Sequence, residues 1–194
     1  VDAGCYYPKE EEALSRFIAA NNLTVKCLLA THLHFDHCFG NAFVARRYEI
    51  PLSASQADEP LLQHMPEQCQ AFGIPFKGTI EPVGQYISHG DIFTLGQEEI
   101  RVLAVPGHSP GSVAFYAPES GFVLTGDALF QMSIGRTDFP GGNHRQLIES
   151  IHKNLLTLPP ETVVYPGHGP ETEIGIERNE NPFLCKGFFV RIRG

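Results

Sequence analysis

The sequence predicts an α/β protein in which helices cover packed β-sheets. The chain has 194 residues, of which 42% are hydrophobic and 19% charged, which is enough apolar surface to bury the core of one domain. Apolar stripes at helical spacing alternate with short apolar runs, and no linker, repeat or low-complexity tract separates the two halves. We therefore expect residues 1–194 to form a single domain. We also expect further N-terminal strand residues before Val1, because residues 1–4 have the pattern of a strand entering a turn.

The first half of the chain predicts two helices and two buried strands. Pro8 and the acidic run 10–12 suit the first turn of a helix over about 8–21. Two branched apolar runs predict strands, a serine-capped stretch predicts a second helix, and a Gly- and Pro-rich excursion follows. These segments are the strands 25–30 and 50–54, the helix 55–70 with Ser55 as its cap, and the excursion 71–86.

The second half has the pattern of short strands separated by Gly or Pro turns. We predict four strands, then a helix, a further strand and a last helical stretch after Pro170. The ranges are 92–95, 100–105, 112–117 and 122–125 for the strands, about 143–156 for the helix, and 162–165 for the further strand.

Charge and cysteine content exclude several classes of function. The chain has 14 Lys and Arg against 22 Asp and Glu, a net charge of −8, which argues against nucleic acid as a partner. The longest uncharged stretch, 102–118, contains three prolines and cannot form a membrane-spanning helix. Five cysteines without a Cys-x-x-Cys pair indicate reduced thiols and a cytoplasmic protein. We expect a small-molecule substrate, whereas the sequence does not predict the oligomeric state.

The strongest motif is His32-x-His34-x-Asp36-His37, at the exit of the strand predicted over 25–30. Imidazole and carboxylate are the usual ligands of a divalent ion such as zinc. His32 and His34 point the same way on an extended segment, and the chain then turns toward Asp36 and His37. This spacing predicts two ions.

Three further candidate ligands, His108, Asp127 and His168, each follow a short apolar strand and a glycine. A glycine beside a ligand allows the backbone to approach a crowded centre. Together with the first motif they provide five histidines and two aspartates, enough for two ions bridged by one carboxylate and one water.

This full set of residues resembles that of the metallo-β-lactamase fold superfamily over essentially the whole chain. The resemblance implies a four-layer αβ/βα sandwich with the metal site at the edge shared by two sheets. It also implies two metal-binding groups and a bridge between them. These are His32, His34 and His108 on one ion, Asp36, His37 and His168 on the other, and Asp127 bridging.

Within the superfamily, the chain resembles the glyoxalase II group, the hydroxyacylglutathione hydrolases, and especially the short bacterial members without the C-terminal helical domain. The runs 126–130, 135–139 and 177–182 carry this likeness. Asp127 stands where the commonest class of β-lactamases has a cysteine, which disfavours antibiotic hydrolysis. Long glyoxalase II enzymes bind glutathione with Lys and Tyr where this chain has Arg136 and Asp138, so the sequence departs from their pattern there.

The resulting hypothesis is a zinc-dependent thioesterase in which a metal-bridging hydroxide attacks a hydroxyacylglutathione-like thioester. Asp36 is the candidate for orienting the water and accepting its proton. Arg136 is the candidate anchor for a substrate carboxylate, with a salt bridge inside its own loop as the structural alternative.

Two other functions fit the same residues. The run 135–139 is also similar to that of the persulfide dioxygenases, in which His32, His108 and Asp127 would hold a single iron. A non-catalytic metal-binding module is the third alternative, although a complete ligand set gives it little support.

Two further residues near the first motif have alternative interpretations. Cys38 could be a nucleophile at a helix start, but a packing role is favoured. Asp2 could accept a hydrogen bond from a ligand histidine or simply form a turn.

Overall fold

The computed structural model describes residues 1–185, whereas 186–194 lie outside it. The chain divides into a first unit, Val1–Ile87, and a second unit that begins at Ser88. The single domain expected for residues 1–194 stays a prediction.

The first unit contains a three-stranded sheet in the order β1-β2-β3, and all neighbouring strands are parallel. Short helices connect the strands, as parallel pairing requires. The strands are β1 Leu28–Leu29, β2 Leu52–Ala54 and β3 Val83–Tyr86, and the helices are α1 Pro8–Ala20, α2 Phe35–Cys38, α3 Asn41–Tyr48, a 3₁₀ turn Gln56–Asp58, α4 Glu59–Gln63 and α5 Met65–Ala71.

The core of the first unit lies between this sheet and its helices. Leu33, Leu52 and Cys69 are fully buried there, together with the apolar side of α3. Helix α1 begins where Pro8 and the acidic run predicted it, because the Glu10 carboxylate accepts the backbone N–H groups of Tyr6 and Tyr7, each at 2.9 Å.

The second unit contains a mixed six-stranded sheet in the order β11-β10-β7-β6-β5-β4 and a separate hairpin of β8 and β9. Within the six-stranded sheet only β10 and β7 are parallel neighbours. The strands are β4 Ile92–Leu95, β5 Glu98–Ala104, β6 Val113–Ala117, β7 Phe122–Gly126, β8 Leu129–Phe130, β9 Ser133–Ile134, β10 Val163–Pro166 and β11 Thr172–Glu173, and the helices are α6 His144–Asn154 and α7 Ile174–Glu180.

Helix α6 supplies much of the core of the second unit. Leu147 and Ile151 on this helix, and Leu155 just after it, are fully buried against residues of the central strands. The Asn143 side chain caps the helix by accepting the Gln146 N–H at 3.0 Å. The helix predicted over 143–156 is therefore confirmed.

The structure differs from the sequence prediction where short elements depend on their neighbours. The single helix expected over 55–70 is three pieces, and Ser55 makes no side-chain cap. Pro60 and Pro66 lie in the first turns of α4 and α5. Because proline has no N–H to continue a preceding helix but fits a first turn, each begins a new helix. The excursion 71–86 ends in strand β3, whose mostly exposed side chains lack the apolar pattern of a buried strand.

None of the helices in residues 1–185 is long and apolar enough to cross a membrane. All five cysteines lie in this part of the chain, and each is a free thiol.

Candidate metal-binding residues in each unit

The first unit brings together the four side chains of the leading motif. The ring centroids of His32 and His34 are 4.8 Å apart, and those of His32 and His37 are 4.1 Å apart. The His37 Nε2 atom lies 3.8 Å from Asp36 Oδ2. The three imidazoles are buried, whereas the Asp36 side chain is 37% exposed.

Local backbone geometry explains this grouping. His32 and His34 follow β1, and His34 is the N-cap residue of α2 with extended backbone. Helical backbone from Phe35 onward then turns Asp36 and His37 back toward the preceding histidines. The chain thus turns directly after His34.

Asp2 holds one end of this motif. Its carboxylate accepts the Thr31 backbone N–H at 2.7 Å and the Thr31 hydroxyl at 2.8 Å, and its Oδ2 lies 3.1 Å from His37 Nδ1. When Nδ1 donates to Asp2, the Nε2 atom of His37 carries the lone pair that a metal requires. Asp2 also has a φ of 52°, so it both forms a turn and accepts the histidine hydrogen bond.

Asp58 is a second buried carboxylate beside the motif, and sequence reasoning missed it. It is fully buried, and its Oδ2 accepts the Leu33 backbone N–H at 3.1 Å. Leu33 lies between the two leading histidines, so Asp58 fixes the backbone that carries them. An aspartate three residues after Ser55 was the available signal, although it resembled an ordinary helix start.

Cys38 is buried at the end of α2, and burial raises the pKa of its thiol well above the usual 9.0. The carboxylates of Asp2, Asp36 and Asp58 raise this pKa further. A thiol that stays protonated is a poor nucleophile, so the packing role favoured from the sequence agrees with its environment.

The second unit brings together the other three candidate ligands. The Oδ2 atom of Asp127 lies 3.7 Å from His108 Nε2 and 3.7 Å from His168 Nε2. The side chains of His108 and Asp127 are 3% and 14% exposed, whereas that of His168 is 58% exposed. One oxygen of Asp127 is thus equally distant from two imidazole nitrogens.

Parallel pairing of β7 with β10 explains why Asp127 and His168 are neighbours. Asp127 follows the carboxyl end of β7, and His168 follows that of β10. The Gly167 N–H donates to Gly126 O at 2.8 Å, which joins the two strand ends. The register of this pair shifts between Tyr165 and Pro166, so that Thr125 is skipped.

Two glycines are required by close backbone approach around His108. A Cβ at Gly107 would lie 2.3 Å from the backbone nitrogen of Leu147, and this glycine has a φ of 134°. A Cβ at Gly135 would lie on the Asp127 carbonyl oxygen and 3.2 Å from His108 Cβ. The next residue, Arg136, accepts the His108 Nδ1–H on its carbonyl oxygen at 2.8 Å, which leaves Nε2 facing Asp127.

The Arg136 side chain forms the loop salt bridge that the sequence allowed. Its Nε and Nη2 atoms each lie 2.7 Å from an Asp138 carboxylate oxygen, and its guanidinium stacks 3.9 Å from the Phe139 ring centroid. The hydrogen bonds from Arg136 lower the pKa of Asp138 from 3.8 to about 2. Because Arg136 and Asp138 are exposed, this pair orders the guanidinium without burying it.

The donor chemistry of both groups fits a divalent transition metal. Each unit combines imidazole nitrogens with at least one carboxylate, and His37 and His108 each have a partner that fixes the ring through Nδ1. No thiol belongs to either group. Zinc and iron both accept such ligands.

Comparison with known proteins identifies the family. A model of the metallo-beta-lactamase superfamily matches residues 1–168. The hydroxyacylglutathione hydrolase GloC of Haemophilus influenzae is 38% identical over 176 residues, which are 90% of this chain and 83% of that protein. These similarities support a metal-dependent hydrolase.

Two solved structures agree with this assignment. The BLEG-1 B3 metallo-beta-lactamase has a TM-score of 0.84 and 37% identity, covering 95% of this chain and 87% of its own. The protein TTHA1623, in a di-iron-bound form, has a TM-score of 0.83 and 39% identity, covering 94% and 87%. The predicted α/β sandwich class is therefore confirmed, and the chain belongs to the metallo-beta-lactamase superfamily.

Proposed function

We propose that this protein is a zinc-dependent thioesterase that hydrolyses a hydroxyacylglutathione-like thioester. The observation that carries the proposal is the complete ligand set on a chain that is 38% identical to a hydroxyacylglutathione hydrolase over 90% of its length. We also propose a cytoplasmic location, which the free thiols support.

The proposed ligand assignment divides the residues into two groups and a bridge. The 3.7 Å distances from Asp127 Oδ2 to two imidazole nitrogens support a bridging carboxylate. The closeness of Asp36 to His37 Nε2 supports their sharing of one ion. One ion is assigned to His32, His34 and His108, the other to Asp36, His37 and His168, with Asp127 between them.

If the assigned residues held zinc, the metal would supply hydroxide at neutral pH and would polarise the thioester carbonyl. The protein's own residues would orient the attacking water and accept its proton. Asp36 is the proposed base because its carboxylate is partly exposed and lies beside a candidate ligand. A thiol leaving group ionises near pH 8 to 9, so its departure needs little help from a protein acid.

Arg136 is the proposed anchor for a substrate carboxylate. Asp138 and Phe139 already hold the guanidinium in place, which lowers the entropic cost of presenting it to a ligand. A substrate carboxylate would then compete with Asp138 for the same cation, so we expect this anchor to be weak.

Iron is a second candidate metal, because the similar protein TTHA1623 has a di-iron-bound form. Iron held by His32, His108 and Asp127 would suit the persulfide dioxygenase reaction that the run 135–139 resembles. This alternative requires oxygen as a co-substrate, whereas thioester hydrolysis requires only water.

The test is metal analysis of protein purified without added metal, together with three assays. We expect about two zinc ions per chain, cleavage of S-lactoylglutathione, no hydrolysis of a β-lactam, and no oxygen uptake with glutathione persulfide. One iron per chain with oxygen uptake would favour the dioxygenase and contradict the proposal.

A pair of variants distinguishes loss of the metal site from a non-specific effect of substitution. His108→Ala should lose metal and thioesterase activity. His144→Gln changes an exposed histidine at the start of α6 and should keep both. Equal activity of the two variants would contradict the assignment of His108.

A further inference from the structure

Glu177 is a buried carboxylate that the proposed chemistry does not use. It lies on α7 with 0% exposure. Its oxygens accept the Met132 backbone N–H at 3.1 and 3.0 Å, the Thr172 hydroxyl at 2.7 Å and the Asn181 side-chain amide at 2.6 Å. Both oxygens accept hydrogen bonds, and these bonds replace the water that burial removes.

The backbone donor in this network lies at the turn of the β8–β9 hairpin. Met132 has a φ of 54°, a conformation that residues with long side chains rarely adopt. Asn181 also donates to the carbonyl of Ser133, the first residue of β9, at 3.1 Å. Glu177 and Asn181 therefore hold the turn and the start of the following strand.

This hairpin lies between Asp127 and the Arg136 carbonyl that binds the His108 ring. It begins two residues after Asp127, and its second strand leads into Gly135 and Arg136. The Gly135 N–H donates to Ala128 O at 3.2 Å, and the Arg136 carbonyl accepts the His108 Nδ1–H. A different turn at Met132 would thus displace the carbonyl that selects the ring tautomer of His108.

We infer that Glu177 is a positioning residue that holds the hairpin so that Arg136 O keeps His108 Nε2 directed toward Asp127. Residues 177–182 were prominent in the sequence, and none of the proposed catalytic steps uses them. The inference concerns His108 and Asp127 alone and does not depend on the substrate.

The test uses Glu177→Gln, with Glu180→Gln on the exposed face of the same helix as the matched control. The amide keeps the size of the side chain but turns one acceptor into a donor that faces other donors. In metal-free protein, ¹⁵N NMR of the His108 ring should change from the Nδ1–H tautomer to a mixture. The zinc dissociation constant, measured by chelator competition, should rise about tenfold, and the control should match the wild type.

Two further variants keep the test decisive. Met132→Gly in the Glu177→Gln background should restore much of the zinc affinity, because glycine adopts positive φ without help. Asn181→Ala is a milder change that removes no charge and should shift both readouts in the same direction as Glu177→Gln.

Folded Glu177→Gln protein with an unchanged His108 tautomer and unchanged zinc affinity would overturn the inference. This holds even if its unfolding midpoint in urea falls, because that result would show a role in stability alone. If wild-type protein bound no zinc, the proposed function would fail, and the tautomer measurement would still decide the role of Glu177.

Discussion

The Nδ1 atom of His37 lies 3.1 Å from Oδ2 of Asp2, a residue 35 positions earlier in the chain. The same carboxylate accepts two hydrogen bonds from Thr31 at the end of the leading strand. One side chain thus orders both the backbone that enters the histidine motif and the ring of its last histidine.

Asp2→Asn should weaken zinc binding by about 10- to 100-fold, because an amide nitrogen cannot accept the His37 hydrogen bond. Chelator competition measures this change. Glu12→Gln, which removes only an exposed ion pair with Arg16, is the control and should bind zinc like the wild type. Unchanged affinity in Asp2→Asn would leave Asp2 as a turn residue only.

Asp127→Ala should cost more metal and activity than any other single ligand change. Asp127 lies beside both His108 and His168, and its loss removes the proposed bridge between the ions. Metal content by elemental analysis and kcat for S-lactoylglutathione test this expectation. Two tightly bound metals with near-normal turnover would contradict the bridging role.

Asp36→Asn should keep much of the metal but lose about 10²- to 10⁴-fold in kcat, because an amide can coordinate weakly but cannot accept a proton. Metal content and turnover should be measured on the same preparation. Parallel loss of both would support a ligand role without a base role.

Cys38→Ala should leave turnover within about twofold of the wild type and lower the free energy of unfolding by about 1 kcal/mol. Burial and nearby carboxylates raise the pKa of this thiol, so it stays protonated at neutral pH. Steady-state kinetics and urea unfolding separate the two effects. A large loss of kcat with metal content unchanged would restore the nucleophile hypothesis.

Arg136→Ala should raise KM for S-lactoylglutathione about tenfold while kcat stays the same, if the guanidinium binds a substrate carboxylate. The pKa of Asp138 is lowered to about 2, so this carboxylate is ionised above about pH 3 and its pairing is lost only as the pH falls through about 2. The effect on KM should therefore be equal at pH 5 and pH 8. We also expect shorter thiol carriers to be tolerated, because Asp138 competes for the proposed anchor and keeps its binding contribution small. A preference above about 100-fold for the glutathione thioester that persists in Arg136→Ala would show that the anchor lies elsewhere.

The sequence was enough to predict those elements whose structure depends mainly on their own residues. Strand β4 has the predicted bounds, and α6 begins directly after its asparagine cap. Strands β8, β9 and β11 were missed because each has only two residues and forms through pairing with a partner. Local propensity carries little information about such pairs.

The motifs in the sequence predicted the candidate ligands, but they did not single out the residues that hold those ligands in place. Asp2 remained ambiguous because its partners, Thr31 and His37, are distant in the sequence. Glu177 belonged to a recognised run of residues, yet its partner Met132 is 45 positions away and has no motif of its own. Such contacts depend on the folded chain and leave no periodic pattern in the sequence.

Thr125 on β7 has no pairing partner on β10, and this irregularity limits how the sheet can be made more regular. Because Thr125 is skipped, β7 uses one residue more than β10 before the chain reaches Asp127. Removing that residue would give an unbroken ladder, and it would also shift Asp127 along β10 by about one residue, roughly 3.3 Å, from its present position beside His168. We expect the more regular strand to bind metal less tightly, so the irregular pairing favours metal binding over an ideal sheet.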